Sequence, residues 1–109
     1  MLPKTRRLTR RDLKQVMRLG RQIKTPQVYI KYFRNKLNFS RFAVVISNKV
    51  LPRAHDRNRL KRLIYTSLIY PHTSFMDTVI GVFPSVVNLS DEVLCSEINQ
   101  VLSQISLGS

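Results

Sequence analysis

Ala54-His55-Asp56-Arg57-Asn58-Arg59-Leu60-Lys61-Arg62-Leu63-Ile64-Tyr65 is the stretch from which the rest of the chain can be placed. At about 100° per residue, Arg57, Asn58, Lys61, Arg62 and Tyr65 fall within one arc of a helix, and Leu60, Leu63, Ile64 and Ser67 fall opposite. One side can bury against a sheet while the other presents cations and an amide. Only Asp56 is placed to give these cations an i,i+4 partner. Cations near a helix N-terminus also oppose its dipole, at about 0.3–1 kcal/mol each. Both costs make sense if the partner is a polyanion, because free N–H groups and arginines at a helix start suit phosphate. Pro52 delays the start of this helix, and Pro71 is expected to end it at about Tyr70.

The charge along the 109-residue chain is lopsided. All 19 Lys and Arg lie at or before Arg62, against two acids there, for a net of +17; the remainder carries four acids and no Lys or Arg. Such asymmetry points to nucleic acid or an anionic surface. No apolar run approaches the ~20 residues that span a bilayer, and the basic helices lack a Trp/Phe-rich face for interfacial anchoring. The N-terminus has charge without an apolar signal segment, so the cytoplasm is the expected location, with no membrane partner. A single cysteine, Cys95, excludes an intramolecular disulfide and a cysteine-rich zinc site; it reads as a buried apolar thiol.

A basic arm, 1–7, precedes Thr9, an N-cap with Asp12 three residues on and Leu8 able to staple to Leu13. A helix of about 10–19 follows, with Leu13, Val16 and Met17 on one side and Arg10, Arg11, Lys14 and Arg18 on the other; Gly20 closes it. A short strand fits 21–24. Residues 28–33 alternate, with Val28, Ile30 and Tyr32 on one face and Tyr29, Lys31 and Phe33 on the other. Residues 35–38 read as a turn. Residues 41–47 are apolar on both faces, so a central strand is expected there. A buried strand over 78–83 ends at Pro84. Ser90 caps a last helix whose apolar stripe is Val93, Leu94, Ile98, Val101, Leu102 and Ile105, with Gly108 just beyond. This order is α+β in a single domain, 1–109, with helices covering a small sheet. The acidic last helix and the basic helix are expected to lie apart.

Catalytic signatures are missing. His55 and His72 have no Cys or carboxylate at metal-ligand spacing. His55 with Glu97 would be the one acid–base pair for a self-sufficient ribonuclease, and nothing in their spacing favours it. The three glycines are isolated, so no phosphate-cradling loop is present.

Residues 41–50, with Ser47-Asn48-Lys49-Val50 closing a strand, followed by Arg57-Asn58-Arg59-Leu60-Lys61-Arg62 on a helix, resemble the signature of the bacterial ribonuclease P protein subunit. Arg7-Leu8, Asp12 and Gly20 extend the likeness towards the N-terminus. The resemblance implies a four-stranded mixed sheet with three helices, like the second domain of ribosomal protein S5, with a left-handed crossover into the basic helix. It implies a protein subunit with no catalytic residue of its own. The endonucleolytic cut that frees the mature 5′ end of tRNA would be made by the RNA subunit, with Mg2+ serving the RNA and no cofactor held by the protein. The implied partners are the catalytic RNA subunit and precursor tRNA, with no protein partner evident. Lys49, Arg53, Arg57, Asn58, Arg59, Lys61 and Arg62 would bind the RNA subunit. Leu13, Met17, Tyr32, Arg10 and Lys14 would bind the single-stranded 5′ leader in a cleft between the first helix and the sheet. Leu13 and Met17 stand where the family often has phenylalanine, and Tyr65 where an arginine often follows the motif. Tyr65 fits either a hydroxyl contact to phosphate or packing on a neighbour, and Tyr32 fits either core or site. The alternative reading is a ribosomal or ribonucleoprotein-assembly protein that binds structured RNA without an enzyme.

Overall fold

The computed structural model describes residues 7–35, 37, 39–68 and 76–108, with side chains as far as residue 105. The arm of 1–6, Lys36 and Asn38 of the expected turn, Tyr70, Pro71 and His72 lie outside the described residues. The elements run α1 (Arg10–Leu19), β1 (Arg21–Lys24), β2 (Val28–Arg34), β3 (Arg41–Val45), α2 (Ala54–Ser67), β4 (Met76–Val82), a short 3₁₀ helix (Pro84–Asn88) and α3 (Asp91–Gly108). The four strands form one mixed sheet in the order β1-β2-β4-β3. β2 is antiparallel to β1 and β4, and β3 is parallel to β4. Three helices and a four-stranded mixed sheet are the expected set.

Because side chains alternate, the register divides the sheet into two faces. Val28, Ile30, Phe42, Val44, Ile80 and Val82 share one face and form a core with Leu60 and Ile64 of α2 and Leu94, Ile98, Leu102 and Ile105 of α3. The opposite face carries the rows Phe33–Asp77–Arg41, Lys31–Val79–Ala43 and Tyr29–Gly81–Val45. Helix α1 lies on this second face, burying Val16 there along with Val79. The Thr9 hydroxyl donates to Asp12 Oδ2 at 2.7 Å and accepts from the Asp12 N–H at 3.3 Å, so the expected cap forms.

Gly20 closes α1 for a different reason from the one its sequence position suggests. Its backbone is extended, with φ −72° and ψ 154°, so left-handed freedom is not what it supplies. A Cβ there would stand 2.9 Å from the Tyr32 carbonyl and 3.2 Å from the Val16 side chain. Glycine lets the helix end press against β2.

Four expectations are corrected. β3 is an edge strand; β4 is interior, and every one of its residues is buried. β3 reads as central because its outer edge is covered by other means. Leu8 N–H donates to the Phe42 carbonyl at 2.9 Å, Arg7 pairs with Phe42 as an isolated bridge, and the Tyr65 hydroxyl accepts from Val44 N–H at 3.0 Å. Helix α2 ends at Ser67, with Leu68 extended, short of Tyr70. Thr66 and Ser67 turn their hydroxyls back onto the Arg62, Leu63 and Ile64 carbonyls, and Asn99 Nδ2 donates to the Ser67 carbonyl at 3.0 Å. These bonds satisfy the last turn without further helix. That Asn99 contact also shows that α2 and α3 lie side by side rather than apart, as does an ion pair from Arg59 to Asp91 at 3.3 Å. Finally, Cys95 is only half-buried and Val93 is exposed, so the stripe of α3 is narrower than expected.

One charged cluster joins α1 to the sheet. Arg41 grips Asp77 with two hydrogen bonds, Nε to Oδ1 at 2.9 Å and Nη2 to Oδ2 at 2.6 Å, while Nη1 reaches Asp12 Oδ2 at 2.9 Å. Asn35 Nδ2 adds a bond to Asp77 at 2.9 Å. Asp77 has only 6% of its side chain exposed, so removing its cation should be costly. Arg41→Ala is expected to lower unfolding free energy by about 3 kcal/mol in urea titrations, the lower end for breaking a buried pair. The Thr9 hydroxyl, and after it Arg41, hold the Asp12 carboxyl below its ordinary range, outweighing its partial desolvation. Its contribution is therefore present above the unfolded value of about 3.9 and is lost as pH falls through the lowered folded value. The stability gap between the natural chain and Asp12→Asn should thus be constant near neutrality and close in strong acid.

Candidate nucleic-acid interface

The basic stretch folds as its periodicity requires, with Leu60 and Ile64 buried and Asn58, Arg59 and Arg62 exposed. Tyr65 reaches the main chain of β3, so the flank carrying Arg57, Lys61 and Tyr65 faces the outer edge of that strand. The cations on α2 are not equivalent. Arg57 Nη1 donates to the Leu51 and Pro52 carbonyls, both at 2.8 Å, and so clamps the connector that leads into the helix. Arg59 is shared with Asp91, in a pair with both side chains more than half exposed. Lys49, in the turn after β3, and Arg53, at the helix start, are exposed. No side chain caps the N-terminus of α2. Arg7 places its guanidinium 4.9 Å from the centre of the Tyr65 ring, a cation–π contact. Tyr65 therefore binds a backbone amide and an arginine of its own chain, which is the packing alternative rather than a free hydroxyl.

The residues expected to hold a leader separate into three places. Leu13 is half-buried and Met17 is 37% exposed, both on one flank of α1 beside Val16. Lys31 Nζ donates to the Met17 carbonyl at 3.0 Å, fixing that flank over the second face of the sheet. Arg10 and Lys14, with Arg11 and Arg18, lie exposed along a shallow hollow on the outer side of α1. Tyr32 does not join Leu13 and Met17. It points to the opposite face, packs against the core, and lines a separate cleft with Leu19, Ile23, Met76 and Ile105. Alternation puts Tyr32 on the face of Val28 and Ile30, which are fully buried, while Tyr32 itself stays half-buried at the edge of that face.

Two residues on the α1 side were not singled out from sequence, Tyr29 and Lys31. Strict alternation marks them: with Phe33 they are the residues of β2 that do not point into the core. Tyr29, Lys31, Ala43, Val45 and Phe83 are all half-buried, so the part of this face beyond α1 is open and mixed in character. The candidate site is thus a half-open, half-apolar face beside α1, with the cations of α1 near it and an arginine-rich helix beyond the β3 edge. Exposed cations beside half-apolar, aromatic surface are the features by which small α+β proteins can meet nucleic acid.

A profile of the ribonuclease P family matches residues 2–106. The ribonuclease P protein component of Legionella pneumophila (strain Corby) is 26% identical over 101 residues, covering 93% of this chain and 89% of that protein. That of Histophilus somni (strain 2336) is 32% identical over 98 residues, covering 88% and 82%. Among solved structures, a mutant of the Staphylococcus aureus RNase P protein superposes with a TM-score of 0.83 at 19% identity, covering 94% of this chain and 89% of that one. The Thermotoga maritima RNase P protein does so at 0.73 and 19%, covering 90% and 96%. The chain belongs to the ribonuclease P protein component family, which sets aside the ribosomal-protein reading.

The clamp on the connector yields a prediction about stability. Arg57→Ala is expected to cost about 1.5–3 kcal/mol, the range for hydrogen bonds to a charged group. Asn58→Ala and Arg62→Ala should stay within about 0.5 kcal/mol of the natural chain. Thermal melting of the three variants side by side checks the ranking.

Proposed function

We propose that this chain is the protein subunit of ribonuclease P, holding the catalytic RNA with α2 and its flanking turn and the 5′ leader of precursor tRNA in the cleft beside α1. The observation that carries the reading is the adjacency of two unlike surfaces. Helix α2 offers cations and an amide to structured phosphate, and the α1 side offers apolar and aromatic side chains with cations at the rim. Duplex backbone is met by charge, and single-stranded nucleotides by stacking and apolar contact.

Lys49, Arg53, Asn58, Lys61 and Arg62 are the direct contacts to the RNA subunit in this reading. Arg57 positions them by holding the connector, and its remaining donors complete the set. Arg59 exchanges Asp91 for phosphate when RNA binds. Leu13 and Met17 form the apolar wall of the leader cleft, and Arg10 and Lys14 draw in its phosphates. His, Cys, Asp and Glu residues nowhere gather in threes among the described residues. In this reading the Mg2+ implied for the cleavage serves the RNA, and the protein contributes binding and orientation.

Reconstitution of precursor-tRNA cleavage with the RNA subunit, with and without this chain, tests the reading directly. Salt gives its quantitative form. Affinity for the RNA subunit should fall linearly in log[salt], and Lys61→Ala with Arg62→Ala should make the slope shallower by about 1.5, at roughly 0.7–0.9 per lost phosphate contact. A flat salt response, or cleavage indifferent to the protein, would refute it.

A further inference from the structure

Tyr29 occupies an unusual seat. Its partner across the sheet is Gly81 of β4, and the tyrosine ring lies directly over that glycine. A Cβ at position 81 would fall inside the ring, its nearest atoms being Tyr29 Cζ, Cε1 and Oη. The sheet thus lacks a side chain where the ring sits. Phe83, just past β4, stands against the same ring at 5.4 Å between centres and tilted by 48°. One side of the tyrosine is backed by main chain, one edge is walled by phenylalanine, and the residue as a whole is only half-buried. Desolvation raises the pKa of the Tyr29 hydroxyl, so it stays neutral and able both to donate and to accept.

Its neighbours carry charge of one sign. Lys24 pairs with Tyr29 across β1 and is exposed. Lys31 is the next residue on the same face, about 7 Å along the strand, and its ammonium holds the end of α1. Among the described residues no strand carboxylate shares this part of the face; Asp77 is two rows away and taken up by Arg41. A half-exposed ring backed by main chain and bracketed by cations suits a nucleobase whose phosphates run beside it. Helix α1 offers no ring, since its cleft-facing side chains are Leu13 and Met17.

We propose that Tyr29, seated on Gly81 and walled by Phe83, is the base-stacking residue for the single-stranded leader in this protein. The sheet rather than the first helix then supplies the aromatic surface. The ring also lies one row further from α1 than Lys31. The assignment rests on the leader-binding reading given above.

The test uses the holoenzyme reconstituted with the RNA subunit and compares binding of precursor tRNA with binding of mature tRNA. Tyr29→Leu should cut the preference for precursor by about 5- to 150-fold, the effect of losing one stacked base. Tyr29→Phe, which keeps the ring, should retain the preference. Gly81→Ala, which takes the seat of the ring, should lose it as Tyr29→Leu does. Removing leader bases one at a time should reveal a single position whose loss weakens the natural holoenzyme and leaves the Tyr29→Leu holoenzyme unaffected. Equal losses for precursor and mature tRNA would overturn the assignment, because they would mark Tyr29 as structural. A natural holoenzyme with no preference for precursor overturns the leader reading itself. A preference that survives Tyr29→Leu overturns only the role of Tyr29.

Discussion

A single guanidinium sets the geometry on which both surfaces depend. Arg41 spends two donors on Asp77 of the interior strand and a third on Asp12 of α1. The hydrogen bond with Asp77 is the foremost cause of the raised pKa of Arg41. An aspartate inside a sheet is tolerable only with such partners, since an uncompensated buried charge costs several kcal/mol. In this case the compensation also fixes a position. Asp12 ties the first turn of α1 over the row Phe33–Asp77–Arg41, and Lys31 ties the last turn over the next row. The row Tyr29–Gly81–Val45 is left half-open, and the cleft is the remainder of a face that the helix does not cover.

The elements themselves were largely legible in the sequence, since apolar period, caps and prolines are local signals. Helix α1 formed on its Thr9 cap, and α2 buried the side its periodicity marked. What a sequence of this length does not encode locally is which helix covers which face. Tyr32 and Tyr29 are both aromatic residues in one strand, and only the placement of the helices tells which of them shares the face of α1. The same blindness explains β3. Two-sided apolarity measures how much of a strand is covered, but main chain from Arg7 and Leu8 and a hydroxyl from Tyr65 cover an edge as well as another strand would. The pairing of α2 with α3 was hidden because opposite net charge in two segments says nothing of distance, and a single exposed pair, Arg59–Asp91, is worth at most about 1 kcal/mol.

Within the basic helix, composition alone would treat each cation as one more phosphate contact, but the geometry assigns them different work. Arg57 is partly engaged by the connector carbonyls, and Arg59 is engaged by the carboxylate of Asp91. Lys49, Arg53 and Arg62 are exposed with no partner to give up among the described residues. The helix therefore ties up some of its charges within the chain and leaves others open to solvent.

The covering of the β3 edge matters most before any RNA is bound. An apolar strand with a free row of N–H and C=O groups is a template for the same strand of another copy, and such pairing leads to aggregates. Strong positive charge keeps copies apart in dilute salt, but that repulsion weakens within a Debye length of about 8 Å at physiological ionic strength. At contact distance the remaining safeguard is local. With the Val44 N–H held by Tyr65 and the Phe42 carbonyl held by Leu8, an incoming strand finds its hydrogen-bonding partners already occupied. The tyrosine at the end of the basic motif thus closes part of the edge along which two copies could pair.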